Sequence, residues 1–153
     1  MSWDKTSRPH GVVEFPGRQE VGKYVYTPGL HGLEFAKALK EGRILVGECN
    51  GVIIVPPKTF CPDHSEEKLV EYNGDWEVVT YTIVYEDMYG NRLSEPQVIA
   101  VIRPLGSSGP GMIHYVKAEP GRLRPGLAVR PVFKPKEERN GLITDIAYFE
   151  PIE

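Results

Sequence analysis

The sequence predicts a mainly β protein in which an N-terminal helix and a short hairpin precede a five-stranded, closed or partly closed barrel. Three observations carry this. Sixteen Gly and 14 Pro in 153 residues mark many turns, hence short strands. Only one stretch, residues 30–41, repeats its apolar residues at helical spacing. From residue 76 onward, runs rich in Val, Ile, Thr and Tyr recur between turn signals, the pattern of a small barrel.

The order of elements follows from local signals. Residues 1–24 are polar and broken by Pro9, Gly11, Pro16 and Gly17. They read as an irregular arm that needs the core or a partner to tie it down. Tyr24, Val25 and Tyr26 can form a short strand. In LHGLEFAKALKE, Leu30, Leu33, Ala36 and Leu39 make an apolar stripe that Phe35 widens, and Gly42 is placed to end the helix. A helix this short is marginal alone, so its apolar face must dock, either on the rest of the chain or on a partner; Leu33, Phe35 and Leu39 are the candidate interface. RILVGE and VIIV flank Asn50-Gly51, the strongest short hairpin signal. Pro56-Pro57 ends the second run. The charged segment SEEKLVEYNGD (65–75) reads as a seam. Beyond it come strands at 76–86, 96–105, 112–118, 127–134 and 142–151. The domain reading is an arm over 1–29, a helix and hairpin unit over 30–70, and a barrel over 71–153.

Composition narrows the function. A net charge of −3 and a pI near 5.8 argue against a general polyanion binder. The first residues hold no apolar core of signal-peptide length, and no run approaches the roughly 20 apolar residues of a membrane span. The expectation is a cytoplasmic protein with both cysteines reduced.

Both cysteines lie in GECNGVIIVPPKTFCPDH, residues 47–64. Cys61-Pro-Asp-His64 has the two-residue gap of a zinc knuckle. Upstream stands a single soft ligand, Cys49. Cys49, Cys61 and His64 are therefore an incomplete metal set, with water, Glu48 or Asp63 as a fourth ligand. The other readings are a hairpin that has lost its metal and keeps its packing, and coincidence. Nothing nearby supplies the base or supporting shell of a catalytic zinc.

Here the chain resembles small archaeal and bacterial proteins that join a rubredoxin-like zinc ribbon to an OB-fold and associate with thiolases. Their order is a helix, a Cys-x2-Cys-Gly knuckle, a short strand, Pro-Pro-Arg, Cys-Pro-x-Cys, then a five-stranded barrel. The matching pieces are LHGLEFAKALKEGRI, Gly51, Val52 to Val55, Pro56-Pro57-Lys58, Cys61 to His64, and the strands VVTYTIVY, EPQVIAVIRPL, LRPGLAVRPVF and DIAYFEP. In that register the first two ligand positions fall on Gly47 and Asn50, which are not zinc ligands; with Cys49 as the first ligand instead, the turn is shortened and the second ligand is deleted; in both, His64 replaces the last cysteine. The resemblance implies a zinc ribbon by descent, with zinc lost or weakly held. It also implies a non-catalytic accessory subunit that docks on a thiolase or thiolase-like acyl-CoA enzyme. In archaeal relatives that partner is bridged to 3-hydroxy-3-methylglutaryl-CoA synthase; others pair with aldolases of steroid side-chain breakdown. The implied bound ligand is a coenzyme A thioester of the complex.

Three further features bear on function. Arg122, Arg124, Arg130, Lys134, Lys136 and Arg139 make the C-terminal half locally basic, and Lys134, Lys136 and Arg130 are the candidate contacts to coenzyme A phosphates. Val79, Tyr81, Ile83 and Tyr85 share a strand face, which on an OB-fold can stack single-stranded nucleic acid; such a binding module is the alternative function. SSGPG (107–111) lacks the lysine and spacing of a phosphate loop, and no Ser, His or Asp arrangement marks an enzyme.

Overall fold

The computed structural model describes residues 27–63 and 65–152. The expected arm over 1–24, the short strand at Tyr24–Tyr26 and the candidate ligand His64 lie outside the described residues.

Helix α1 (Gly29–Glu41) ends where expected. Gly42 takes a left-handed φ of 82°, its N–H bonds Leu39 O at 2.9 Å, and Arg43 N–H bonds Ala38 O at 2.9 Å. This is a Schellman closure, which needs a residue tolerant of positive φ. Strands β1 (Leu45–Cys49) and β2 (Val52–Ile54) form the hairpin, with Asn50 and Gly51 at φ 51° and 81°. Two positive φ values make the two-residue turn whose twist matches the strands. The segment 65–75, expected as a seam, contains strand β3 (Lys68–Glu71), which pairs with β1 to give the order β2-β1-β3.

The barrel comprises β4 (Trp76–Glu86), β5 (Arg92–Pro104), β6 (Met112–Val116), β7 (Ala128–Phe133) and β8 (Ile146–Pro151). They close in the order β4-β5-β6-β8-β7, with β7 returning to β4 through Trp76 and Glu77. Closure is uneven. β6 and β8 are parallel and share one register pair, Val116 with Phe149, backed by Lys117 N–H to Phe149 O at 2.8 Å. A bulge between Val78 and Thr80 shifts β4, so Trp76 and Val78 point into the core before it, and Tyr81 and Ile83 pack against the core after it.

One apolar cluster joins both halves. Phe35, Leu39, Val46 and Val55 meet Trp76, Ile102, Val129 and Phe149 in it. Trp76 and Phe149, 1% and 0% exposed, cross edge to face at 5.6 Å. The candidate interface on α1 is thereby corrected: Phe35 and Leu39 face this cluster and are not available to a partner, while Leu33 stays half-exposed. A short helix beside a barrel gains more by burying its strongest apolar residues internally than by presenting them.

Candidate functional site

The clearest unpartnered surface lies on the outside of the barrel along the weakly closed β6–β8 side. Alternation on β6 sends Met112, His114 and Val116 inward and Ile113 and Tyr115 outward. Opposite them on β5 stand Val101 and Ile99. Next to this face, the loop after β7 carries Leu142 and Ile143. Ile113 is 71% exposed and Leu142 58%, high values for branched apolar side chains.

Two hollows flank the seam and share Tyr115 and Ala147. The smaller, about 400 Å³, is lined by Ile99, Ile113, Ile143, Ile146 and Lys134. The larger, about 780 Å³, runs past Pro96, Val98, Pro120 and Tyr148 and carries Lys117 and Arg122. Lys117 Nζ sits 5.2 Å from the centre of the Tyr148 ring. Both volumes fall within the roughly 300–1,000 Å³ of ligand sites. The smaller hollow is apolar with Lys134 at it, while the larger carries Glu95 and Glu119 beside Lys117 and Arg122; both suit a flexible chain or the side chains of another protein.

The loop presenting Leu142 and Ile143 is held from inside. Asp145 is 1% exposed, and its carboxylate accepts N–H bonds from Asn140 at 3.0 Å, Gly141 at 2.6 Å and Leu142 at 3.2 Å. Burial disfavours its charge, but those three backbone donors and nearby Lys134 outweigh it and hold the carboxyl below its usual range. His114, also buried, accepts the Tyr115 N–H at Nδ1 (2.9 Å) and donates from Nε2 to Ile143 O (3.3 Å). It is a satisfied core histidine.

Of the three basic candidates, only Lys134 reaches a hollow. Arg130 pairs with Glu150 at 2.8 Å, and Lys136 stands exposed in the 3-10 turn Lys136–Glu138. Lys117 and Arg122 line the larger hollow instead. Lys117 lay inside a predicted strand, and only the β6 alternation, which turns it away from the core after Val116, marks it in the sequence. The expected β4 face is not a continuous stacking platform: Tyr81 and Ile83 pack against the core, Tyr81 Oη donates to Leu123 O at 3.2 Å, and Tyr85 alone of its aromatics stands exposed. The 107–111 loop meets the chain's own β2. Ser107 Oγ donates to Ile53 O at 3.4 Å, and Gly109 approaches the same carbonyl so closely that no Cβ would fit.

The ribbon differs most from expectation. Cys49 and Cys61 are not reduced thiols but a disulfide, their Cα atoms 5.7 Å apart. The hairpin and the return of the chain through Cys61 bring them side by side, within ordinary bridging distance. The two ribbon positions Gly47 and Asn50 do not fit a metal ion. Gly47 offers no donor, and a Cβ there would fall inside the Glu67 carboxylate. Asn50 directs its Nδ2 outward to Asp63, 3.0 Å away. Among the described residues no three His, Cys, Asp or Glu side chains converge as a metal set. The same residues hold no helix long and apolar enough to cross a membrane.

Comparisons with known proteins agree with this architecture. Residues 69–134 match the family described as the ChsH2 C-terminal OB-fold domain. A Sulfolobus solfataricus protein of unknown function from the DUF35 family is 31% identical with a TM-score of 0.58, over 68% of this chain and 78% of that one. The structure of an Ltp2-ChsH2(DUF35) aldolase holds a chain that is 18% identical with a TM-score of 0.58, over 78% of this chain and 93% of that one. No functionally curated protein matches significantly. Helix, three-stranded ribbon and OB barrel, taken with the identity to the Sulfolobus protein, lead to one conclusion: the chain belongs to the DUF35 family.

Proposed function

We propose that this protein is a non-catalytic accessory subunit that docks on a thiolase-like acyl-CoA enzyme. The carrying observation is the apolar face of Ile113, Tyr115, Leu142 and Ile143 beside the two hollows. Such a face is costly to leave in water and is the mark of an interaction site. The pairing of a related fold with Ltp2 in an aldolase supports a thiolase-like partner. Lys134, Lys117 and Arg122 would meet anionic groups of an acyl-CoA passing between the proteins, while the apolar linings accept its chain. The working compartment in this reading is the cytoplasm, where acyl-CoA is found.

The test is affinity purification of the tagged chain from its host at low salt, with mass spectrometry of co-purifying proteins. A thiolase-like enzyme in near-stoichiometric amount with the wild type, lost with Ile113→Asp, is the expected result. Ile113 is exposed, so the substitution leaves the core intact. Recovery of no such enzyme, or equal recovery with the variant, would reject the docking reading.

A further inference from the structure

The ribbon holds a buried arrangement that the docking reading does not use. Glu67 is 2% exposed and its side chain is closed from solvent. Oε1 accepts the Lys58 N–H at 2.7 Å, with His31 Nδ1 at 3.7 Å. Oε2 faces Cys49 Sγ at 3.6 Å. A disulfide sulfur carries no proton, so while the bond stands Oε2 has no hydrogen-bond donor among the described residues. A buried acceptor without a donor is rare and calls for an explanation. Reduction of the bond would supply one, the proton that Cys49 Sγ gains.

We propose that Cys49–Cys61 is a reversible disulfide–dithiol clamp that stands in place of a metal ion, with Glu67 as the acceptor for the Cys49 thiol in the reduced state. The geometry argues against a metal at two levels: the sulfurs are joined to each other, and the space beside Gly47 is filled by the Glu67 carboxylate. The clamp ties the end of the central strand β1, at the β1–β2 turn, to the segment that connects β2 with β3. The reductant is a dithiol. Its first thiolate attacks one sulfur and releases the other cysteine; its second thiol displaces the first cysteine and closes a cyclic disulfide. Two electrons and two protons pass to the protein, leaving two thiols. Cys49 S–H then donates to Glu67 Oε2, which offsets part of the lost cross-link. The clamp is therefore sensitive to thiols and indifferent to chelators.

The test uses the full chain purified without reductant, followed by thiol titration in denaturant, metal analysis and melting in EDTA or in dithiothreitol. The expected result is no free thiol, no stoichiometric metal, and a melting temperature unmoved by EDTA. In dithiothreitol it should fall by about 10 °C, as the opening of a short loop in a domain of this size implies. Glu67→Gln separates the acceptor role from the cross-link. Its amide oxygen keeps the Lys58 bond, and its NH2 group faces sulfur. The oxidised variant should melt at or above the wild type, and its drop in dithiothreitol should exceed the wild-type drop by several degrees. Two free thiols with bound zinc and a chelator-sensitive melt would overturn the clamp, as would a melt unmoved by dithiothreitol. A drop in Glu67→Gln equal to or smaller than the wild-type drop would overturn the role of Glu67.

Discussion

Replacing Asp145 tests how the loop that presents Leu142 and Ile143 is held. Three backbone N–H groups converge on one buried carboxylate. A buried donor left without its acceptor costs roughly 1–3 kcal/mol, and bonds to a charged group contribute about 1.5–3 kcal/mol each. The three share one acceptor and the loop can relax toward water, so the losses do not add. Asp145→Ala should cost about 3–5 kcal/mol, among the large effects seen for single substitutions. Asp145→Asn keeps one acceptor but turns an NH2 group toward a backbone donor, for about 2 kcal/mol. With a urea slope of about 2 kcal/mol/M, the alanine variant's midpoint falls by about 2 M at unchanged slope. The pH dependence gives an independent check. The folded-state pKa of Asp145 lies below its ordinary value, so the unfolded chain binds the proton first. Its contribution is complete above the unfolded value near 4 and is lost as pH falls through the lower folded value. The stability gap between wild type and Asp145→Asn should therefore narrow below about pH 4. A gap under about 0.5 kcal/mol at pH 7, the scale of ordinary surface changes, would refute the reasoning. So would a gap that is the same at pH 3 and pH 7.

Three other predictions are independent of that loop. Phe149→Ala, at a wholly buried ring packed on Trp76, should cost about 3–5 kcal/mol in denaturant unfolding. Gly47→Ala should destabilise the fold by about 1–3 kcal/mol through overpacking against Glu67, and Glu67→Ala should suppress part of that loss in a double-mutant cycle. Fluorescence titration with single-stranded oligonucleotides at low and high salt should show no steeply salt-dependent binding, because Tyr81 and Ile83 are turned toward the core.

Strong local signals made much of this fold legible in the sequence. Gly42 ended the helix, Asn50-Gly51 set the hairpin, and the dense β-branched run 76–86 matched β4 at both ends. Errors arose where tertiary context overrode composition. Lys68–Glu71 is four residues long in a charged setting, and it became a strand because β1 offered an open edge. The strand expected over 96–105 starts at Arg92, since its outer part pairs with β4 alone and its far edge tolerates Pro96. The last strand begins at Ile146 because Asp145 draws the preceding backbone into a 3-10 turn. The site was harder to read. Glu67 stands in the charged run read as a seam, and the partners of Asp145 are backbone amides, which have no residue signature.

The single rung between β6 and β8 has a consequence for how the barrel opens and closes in time. Phe149 sits on that rung and is also the ring against which Trp76 rests. The seam therefore cannot part without admitting water to the centre of the core, so a break that is small in hydrogen bonds is large in exposed apolar area. Its opening free energy should approach that of global unfolding rather than that of a fraying edge. The Lys117 amide, which donates across the seam, becomes a built-in reporter. A partner that covers Tyr115 and Ile113 without touching this amide should still slow its hydrogen exchange, turning a docking event on the outside into a measured lifetime on the inside.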